Sequence, residues 1–239
     1  MKMRTILTVI AVAFLAVCMI PTEVSAEKIT AEKISEFKRA AARGDATAQY
    51  NLGLCYFNGW GVAKNNAEAA KWFRKAAEQG DATAQLNLGH CYFEGWGVAK
   101  NNAEAAKWFR KAAEQGDATA QFNLGTCYDD GYGVEKDSAE AAKWFRKAAR
   151  QGYADAQYNL GKCYANGWGV AKNNAEAGNW FRKAAEQGVV EAQYTLGLCY
   201  ASGHVVARSD EEAVKWFRKA ARQGHAEAQK LLKKAGLTW

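Results

Sequence analysis

The stretch from residue 45 to residue 80, DATAQYNLGLCYFNGWGVAKNNAEAAKWFRKAAEQG, decides the fold of this chain because it recurs. The period is 36 residues, and full copies occupy 45–80, 81–116, 117–152, 153–188 and 189–224. A fixed period of this length is typical of a solenoid, in which each repeat buries its apolar side chains by stacking on its neighbours. We therefore predict an all-α solenoid of stacked antiparallel helix pairs.

Each copy contains the signals for two helices. Ala48, Leu52 and Cys55 recur at helical spacing after Asp45, which can cap the first helix, called helix A. A capping box of the Asn65–Glu68 kind begins the second helix, helix B, in all five copies. Glycine follows each helix, as expected where a chain must adopt the left-handed conformation. The pattern therefore predicts an A–B helix pair in every repeat.

Incomplete repeats stand at both ends of the array. Residues 31–44 match the second half of a repeat and predict an N-terminal cap, and residues 225–239 predict a C-terminal cap helix. Two departures occur late in the chain. Gly178-Asn179 replaces an Ala-Lys pair, and His204-Val205-Val206 replaces a Trp-Gly-Val loop. Both predict looser packing towards the C-terminus.

Residues 1–26 have the features of a secretory signal. Lys2 and Arg4 precede an apolar run, and Val24-Ser25-Ala26 forms a small-residue cleavage site before Glu27. We predict an exported protein, periplasmic or secreted after cleavage. The alternative is a lipoprotein anchored through Cys18. No later segment is apolar for the ~18 residues that a bilayer requires, so no integral membrane span is expected.

The composition indicates a globular protein with an evenly spread positive charge. The chain has 239 residues, 49% of them hydrophobic, and a formal net charge of +7. Each B helix places Lys and Arg beside Glu, which is the pattern of a solvated, ion-paired face rather than of a segregated basic patch. We therefore expect no nucleic-acid partner, and we expect a monomer.

Two motifs that follow one another in each repeat resemble those of a known family. The patterns A-Q-x-N-L-G-x-C-Y-x-x-G-x-G-V and A-E-A-A-K-W-F-R-K-A-A-x-Q-G are similar to the Sel1-like repeat family, a relative of the tetratricopeptide repeats. The resemblance extends from about Ala31 to Leu232. It implies a right-handed superhelix of antiparallel helix pairs. Some exported members of the family are labelled as β-lactamases, so an enzyme has to be considered.

One tetrapeptide bears on catalysis. Ser35-Glu36-Phe37-Lys38 matches the serine-x-x-lysine of penicillin-recognising enzymes, but the sequence lacks the companion S-D-N and K-T-G motifs. The tetrapeptide also falls in the predicted capping helix, where Ser35 points outwards. We therefore predict no catalytic residues and no enzyme activity. A β-lactamase-like or other cell-envelope enzyme is the alternative.

Cysteine and histidine are the potential metal ligands. One cysteine occurs in each repeat, at positions 55, 91, 127, 163 and 199. Equivalent helices of a solenoid lie ~10 Å apart, beyond the ~7 Å between Cα atoms that a disulfide allows, so buried thiols are expected, with a metal or redox ladder as the alternative. The three histidines occupy unrelated positions. No metal and no cofactor is predicted.

The remaining candidates lie on one side of helix A, which lines the concave surface in tetratricopeptide-like solenoids. An amide recurs at one position, whereas two neighbouring positions vary; such a surface could bind a peptide backbone through its amides and select side chains through its variable positions. The predicted binding residues are Asn51, Asn87, Asn123, Asn159; Leu54, His90, Thr126, Lys162; and Asn58, Glu94, Asp130, Asn166. The alternative is that the asparagines bond the loop carbonyls of the preceding repeat.

These patterns together favour an adaptor or scaffold that binds an extended segment of another protein. A secreted factor that acts on a host is a further alternative, since it would use the same surface.

Overall fold

The computed structural model describes residues 29–239, which form 12 α-helices and no strand. The signal sequence predicted for residues 1–26, including Cys18 and the cleavage site, lies outside the described residues. The helices are α1 (Ala31–Ala42), α2 (Ala46–Asn58), α3 (Asn66–Glu78), α4 (Ala82–Glu94), α5 (Asn102–Glu114), α6 (Ala118–Asp130), α7 (Ser138–Arg150), α8 (Ala154–Asn166), α9 (Asn174–Glu186), α10 (Val190–Ser202), α11 (Asp210–Arg222) and α12 (Ala226–Lys234). From α2 to α11, even-numbered helices are the A helices and odd-numbered helices are the B helices.

The helices form two compact units. One comprises the chain through Asn123 together with Tyr132–Val134, and the other comprises Leu124–Gly131 with Glu135–Trp239. In the first unit α1 packs against α2 through Phe37 and Leu52, and successive helices up to α5 contact one another. In the second unit successive helices from α7 to α12 do so. The predicted fold class, an α-solenoid of antiparallel helix pairs, is confirmed.

Side chains cap the helices where the sequence predicts them. The Asp45 carboxylate accepts a hydrogen bond from the Ala48 N–H at 2.7 Å, and the Asn65 side chain accepts one from the Glu68 N–H at 3.0 Å. The N-cap side chain bonds in this way at all five B helices, at Asn65, Asn101, Asp137, Asn173 and Ser209. Each such cap typically contributes ~1 kcal/mol to helix stability.

A glycine inside each A helix lets helix B approach closely. A Cβ atom added to Gly53 would lie 2.6 Å from the Phe73 ring, and the same distance separates Gly161 from the Phe181 ring. Phe73 is fully buried as a result. Alanine would not fit at these positions without displacing the ring, so the Leu-Gly pair of helix A is a packing requirement.

The loop after each A helix touches the preceding B helix. Gly97 has a φ of +71°, and a Cβ atom there would lie only 2.0 Å from the Asn66 carbonyl oxygen. Both the left-handed backbone and the contact therefore require glycine. This requirement explains the second glycine of the GWGV loop.

A row of buried glutamines joins successive helices. Gln85 donates from Nε2 to the Ala77 carbonyl at 3.1 Å and accepts from Gln115 Nε2 at 2.8 Å. The Ala77 carbonyl belongs to the last turn of α3, where helical partners run out. Equivalent buried side chains are Gln49, Gln121, Gln157 and Gln193. The amides of the A-Q motif therefore stabilise the scaffold.

Candidate protein-binding surface

The constant amide of helix A contacts the preceding repeat. Asn87 donates from Nδ2 to the Tyr50 hydroxyl at 3.2 Å, and Asn123 Nδ2 lies 3.2 Å from His90 Nε2. In the other unit Thr195, which replaces asparagine, lies 3.4 Å from the Tyr158 hydroxyl. The partners are side chains of the preceding A helix rather than loop carbonyls. This position therefore joins A helices of neighbouring repeats.

Four of the predicted binding residues are buried. Their exposed fractions are 5% for Leu54, 0% for Asn87, 0% for His90 and 3% for Asn123. The expected placement of these four side chains on an open groove is wrong, because the turn that carries them faces the neighbouring repeat. Whether this face of the A helices binds a partner stays a prediction.

His90 is a fully buried side chain whose pKa is shifted far from its ordinary value. Its ring meets Phe109 edge-on, with ring centroids 5.1 Å apart, and is fully buried. Burial lowers the pKa of His90 to about 3, because the charged imidazolium would lose its hydration. His90 is therefore neutral at physiological pH, and it serves in packing.

The third predicted position ends helix A. Asn58 donates from Nδ2 to the Leu54 carbonyl at 3.1 Å, and Asn166 donates likewise to the Lys162 carbonyl at 2.9 Å. In each case the acceptor is the carbonyl four residues earlier in the same helix, so the amide bonds within helix A at its C-terminal end. Glu94 and Asp130 hold carboxylates at this position and have no amide donor to offer.

The predicted residues with access to solvent lie mostly in the second unit. Asn159 and Lys162 are half-buried on α8, and Lys162 Nζ lies 5.1 Å from the centroid of the Tyr158 ring. Leu198 occupies the place of Lys162 on α10 and is 41% exposed. Asn166 is exposed, and Thr126 and Asn51 are half-buried. An amide, an ammonium group and an isobutyl group therefore lie at the surface of successive A helices.

The residues considered for catalysis or metal binding form no site in the part of the chain that the structure describes. Ser35 and Lys38 are both exposed on α1. His225 accepts a hydrogen bond from the Ala228 N–H at 3.2 Å and thereby caps α12. No group of His, Cys, Asp and Glu side chains in residues 29–239 could hold a metal ion. Within the same range, no helix is long and apolar enough to cross a membrane.

The cysteines of all five repeats are buried thiols, as predicted. Burial raises the pKa of Cys55, Cys163 and Cys199 to about 11 and that of Cys127 to about 12. A nucleophilic or redox-active cysteine needs a lowered pKa and access to solvent. The arrangement therefore favours packing over redox chemistry.

From the sequence, the aromatic residues of the loops, Trp60, Trp96, Tyr132 and Trp168, are expected to pack over the neighbouring repeat rather than stack on a ligand. Trp96 and Tyr132 do so, with ring centroids 5.4 Å from Phe57 and 5.7 Å from Phe93, but for Trp168 the expectation is wrong. Trp168 occupies the same loop position and is 48% exposed. The residue that corresponds to Phe57 in the third repeat is Asp129. The aspartate at position 129 could have predicted the exposure of Trp168, but only if the contact between these two positions of neighbouring repeats had been known.

The repeats are similar to proteins of known sequence and structure. The Sel1 repeat model matches residues 46–81, 82–117, 118–153, 154–189 and 190–225. The crystal structure of c5321, a protective antigen present in uropathogenic Escherichia coli strains, is 40% identical with a TM-score of 0.80, and the match covers 83% of this chain and 43% of that one. A Sel1 repeat protein from Oxalobacter formigenes is 38% identical with a TM-score of 0.78, covering 84% and 80% respectively. The chain thus spans less than half of c5321. No curated protein matches it.

Proposed function

The chain belongs to the Sel1 repeat family, and we propose that it is a non-catalytic module that binds an extended segment of a protein partner on the A-helix face. Repeats of this family generally act as scaffolds for protein–protein interaction and are typically non-catalytic. The finer proposal concerns the surface and the form of the partner. It is supported by the side chains of α8 and α10.

The observation that carries the proposal is a contrast along one face. The glutamines, the N-cap residues and the helix-ending Asn58 and Asn166 all bond within the scaffold. Four residues before the helix-ending position, α8 has Lys162 and α10 has Leu198. Lys162 is half-buried and Leu198 is 41% exposed. A repeat scaffold whose internal bonds are constant can vary such side chains without loss of fold.

An extended segment suits this spacing. Equivalent positions of neighbouring repeats lie ~10 Å apart, which an extended chain covers in about three residues at 3.3 Å each. Leu198 would contact an apolar side chain, Lys162 would attract a carboxylate, and the Asn159 amide could bond the backbone between them. Alternate side chains of the partner would provide specificity.

Export is a further part of the proposal. The basic, apolar and small-residue order of residues 1–26 supports removal of that segment during export. Sequencing the N-terminus of the protein recovered from periplasm and from culture medium tests it. We expect Glu27 as the first residue, and a lipid attached to Cys18 would establish the lipoprotein alternative.

A factor that meets a host is the second candidate function. Similarity to c5321, a protective antigen, favours it, although this chain corresponds to 43% of that one. The adaptor and the host-directed factor would both bind a protein. They differ only in whether that protein comes from the same cell or from the host.

Photo-crosslinking from defined positions tests the binding surface. A benzophenone side chain placed at Leu198 or Lys162 should form an adduct with a bound protein, whereas one at Lys147, exposed on a B helix, should not. Replacing Lys162 and Leu198 with Ala should then weaken the purified complex by about tenfold, at about 0.5 to 1 kcal/mol per side chain. Adducts from Lys147 alone would place the interface elsewhere.

Two controls separate the alternatives. Replacing the buried Asn87 and Asn123 with Ala should lower the melting temperature and leave the affinity of the folded protein unchanged. Hydrolysis of nitrocefin that disappears in Ser35→Ala would support the enzyme alternative and contradict the proposal.

A further inference from the structure

Two aromatic side chains of the loops pack on the preceding repeat, whereas the equivalent Trp168 is exposed. Trp96 lies on Phe57, and Tyr132 lies on Phe93, in each case a residue 39 positions earlier. The residue 39 positions before Trp168 is Asp129. The backbone of the Trp168 loop keeps the common form, since the Trp168 N–H bonds the Cys163 carbonyl as the Trp96 N–H bonds that of Cys91. Trp168 is therefore exposed because its usual aromatic neighbour is a carboxylate.

The segment around Asp129 is acidic in an otherwise basic chain. Residues 129–137 contain four acidic residues and one basic residue, whereas the equivalent residues 57–65 contain one basic residue and no acidic one. Asp137 caps α7 and is thus occupied. Asp130 and Glu135 are exposed, and Asp129 is half-buried. Three carboxylates therefore remain available on the second unit.

This chain repeatedly places an ammonium group over an indole ring. In each B helix a lysine Nζ lies 3.8 to 4.3 Å from the ring centroid of a tryptophan three residues earlier. The pairs are Trp72–Lys75, Trp108–Lys111, Trp144–Lys147, Trp180–Lys183 and Trp216–Lys219. Among residues 29–239 no lysine or arginine side chain lies over the Trp168 ring. Its ring is open to a cation from outside.

We propose that Trp168, Asp129 and Asp130 form a docking site for a lysine- or arginine-containing segment of a protein partner. A cation over the indole ring is attracted by its π electrons, and the two carboxylates add charge complementarity. This inference rests on the proposed binding function and assigns a second surface, formed by the last two residues of α6 and the loop after α8, apart from Leu198 on α10. Phosphate-bearing partners are repelled by the same carboxylates.

The site already has basic neighbours on its own chain. Burial and the nearby Asp129 raise the pKa of Asp130 above its ordinary value. Lys136 and Lys162 partly offset this increase. The incoming segment thus has to compete with these lysines for the carboxylates. Moderate affinity and a steep dependence on salt follow, because exposed charges are screened beyond a Debye length of ~10 Å at about 0.1 M salt.

Fluorescence anisotropy of a labelled peptide tests the proposal. The probe is an acetylated peptide of alternating lysine and glycine, and the matched probe contains glutamate in place of lysine. We expect the lysine peptide to bind the full chain at about 20 mM salt and to bind more weakly at about 150 mM, where the Debye length is ~8 Å. The glutamate peptide should not bind.

Variants of the site distinguish its parts. Trp168→Leu keeps an apolar side chain but removes the π face, and D129N/D130N removes the charges; each should weaken the lysine peptide about 3- to 10-fold. Trp168→Phe should retain most of the binding. Asp129→Phe restores the residue of the first two repeats, so it should cover Trp168, reduce acrylamide quenching and abolish binding.

Several results would overturn the inference. Unchanged affinity in Trp168→Leu, equal binding of the glutamate peptide, or no binding of the lysine peptide at low salt would each do so. A neutral oligosaccharide such as chitotriose is a further probe. If it binds and D129N/D130N leaves its affinity unchanged, Trp168 belongs to a sugar-binding site instead. Leu198→Ala, which leaves Lys136 and Lys162 in place, should bind the lysine peptide normally, so failure on the A-helix face is a separate result.

Discussion

Gly178 in α9 and Val206 in the loop after α10 fit together, because a Cβ atom added to Gly178 would lie 2.9 Å from Val206 Cγ1. Earlier repeats have alanine at the first position and glycine before the corresponding valine, as in Ala142 with Gly169. Here Val205 replaces that glycine. The two departures compensate each other, which differs from the looser packing that the sequence predicts.

Gly178→Ala should therefore destabilise the protein despite the better helix propensity of alanine. The propensity gain is ~1 kcal/mol, whereas overpacking of a core typically costs ~1 to 3 kcal/mol. We expect a lower melting temperature in a thermal unfolding experiment. Adding Val205→Gly recreates the pairing of the earlier repeats and should recover much of the loss. A double variant no more stable than Gly178→Ala would mean that the two positions are independent.

The buried glutamine of helix A should matter more than its exposed partner. Gln193 donates to the Ala185 carbonyl at 3.1 Å and accepts from Gln223 Nε2 at 2.9 Å. Gln193→Met keeps the shape but removes both side-chain hydrogen bonds, while the Ala185 carbonyl keeps its bond from the Gly188 N–H at 3.1 Å. At ~0.5 to 1.5 kcal/mol for each lost bond, the variant should lose ~1 to 3 kcal/mol in the free energy of unfolding measured with urea. Gln223→Ala, at an exposed position, should cost less than ~1 kcal/mol. Equal costs would show that Gln193 acts only through its packing.

The sequence predicted the helices and their caps well because those signals are local. Asp45 and Asn65 bond backbone groups three residues away, so the motif alone contains both partners. The burial of Asn87 was not predictable, since its partner Tyr50 lies 37 residues earlier and the side of the helix that faces a neighbour depends on the stacking angle. The exposure of Trp168 was missed for the same reason, because it results from a substitution in another repeat.

His90 should make stability depend on pH in the acidic range. Its folded pKa of about 3 lies below the ordinary value of 6.5, so below about pH 6.5 the unfolded chain binds a proton that the folded chain does not. The free energy of unfolding is therefore unaffected by the titration of His90 above that pH. It falls by ~1.4 kcal/mol for each pH unit between about 6.5 and 3. Urea unfolding at about pH 7 and pH 5 measures it.

His90→Leu is the matched control, because leucine occupies this position in the first and fifth repeats as Leu54 and Leu198. Between about pH 7 and pH 5, the free energy of unfolding of the variant should fall by roughly 1 to 2 kcal/mol less than that of the original protein. An identical loss in both proteins would assign the pH dependence to carboxylates elsewhere.

The cysteines should react slowly in the folded protein. With pKa values of about 11 for Cys55 and about 12 for Cys127, the thiolate fraction at pH 8 is on the order of one in a thousand or less. A colorimetric disulfide reagent should label them at a rate limited by unfolding and should label all of them rapidly in guanidinium. Rapid labelling of one cysteine in the native protein would identify an accessible, activated thiol and revive the redox alternative.

The contacts between repeats also determine how the chain would respond to mechanical load. Gln115 bonds the Gly80 carbonyl 35 residues away, and Asn87 bonds Tyr50 37 residues away, so each contact joins immediate neighbours. A solenoid held in this way can be peeled from one end, since detaching the last repeat leaves the contacts of the others intact. Stretching a tethered molecule would then release ~120 Å of contour length per 36-residue repeat. Such a protein could yield gradually under shear while most of its length stays folded.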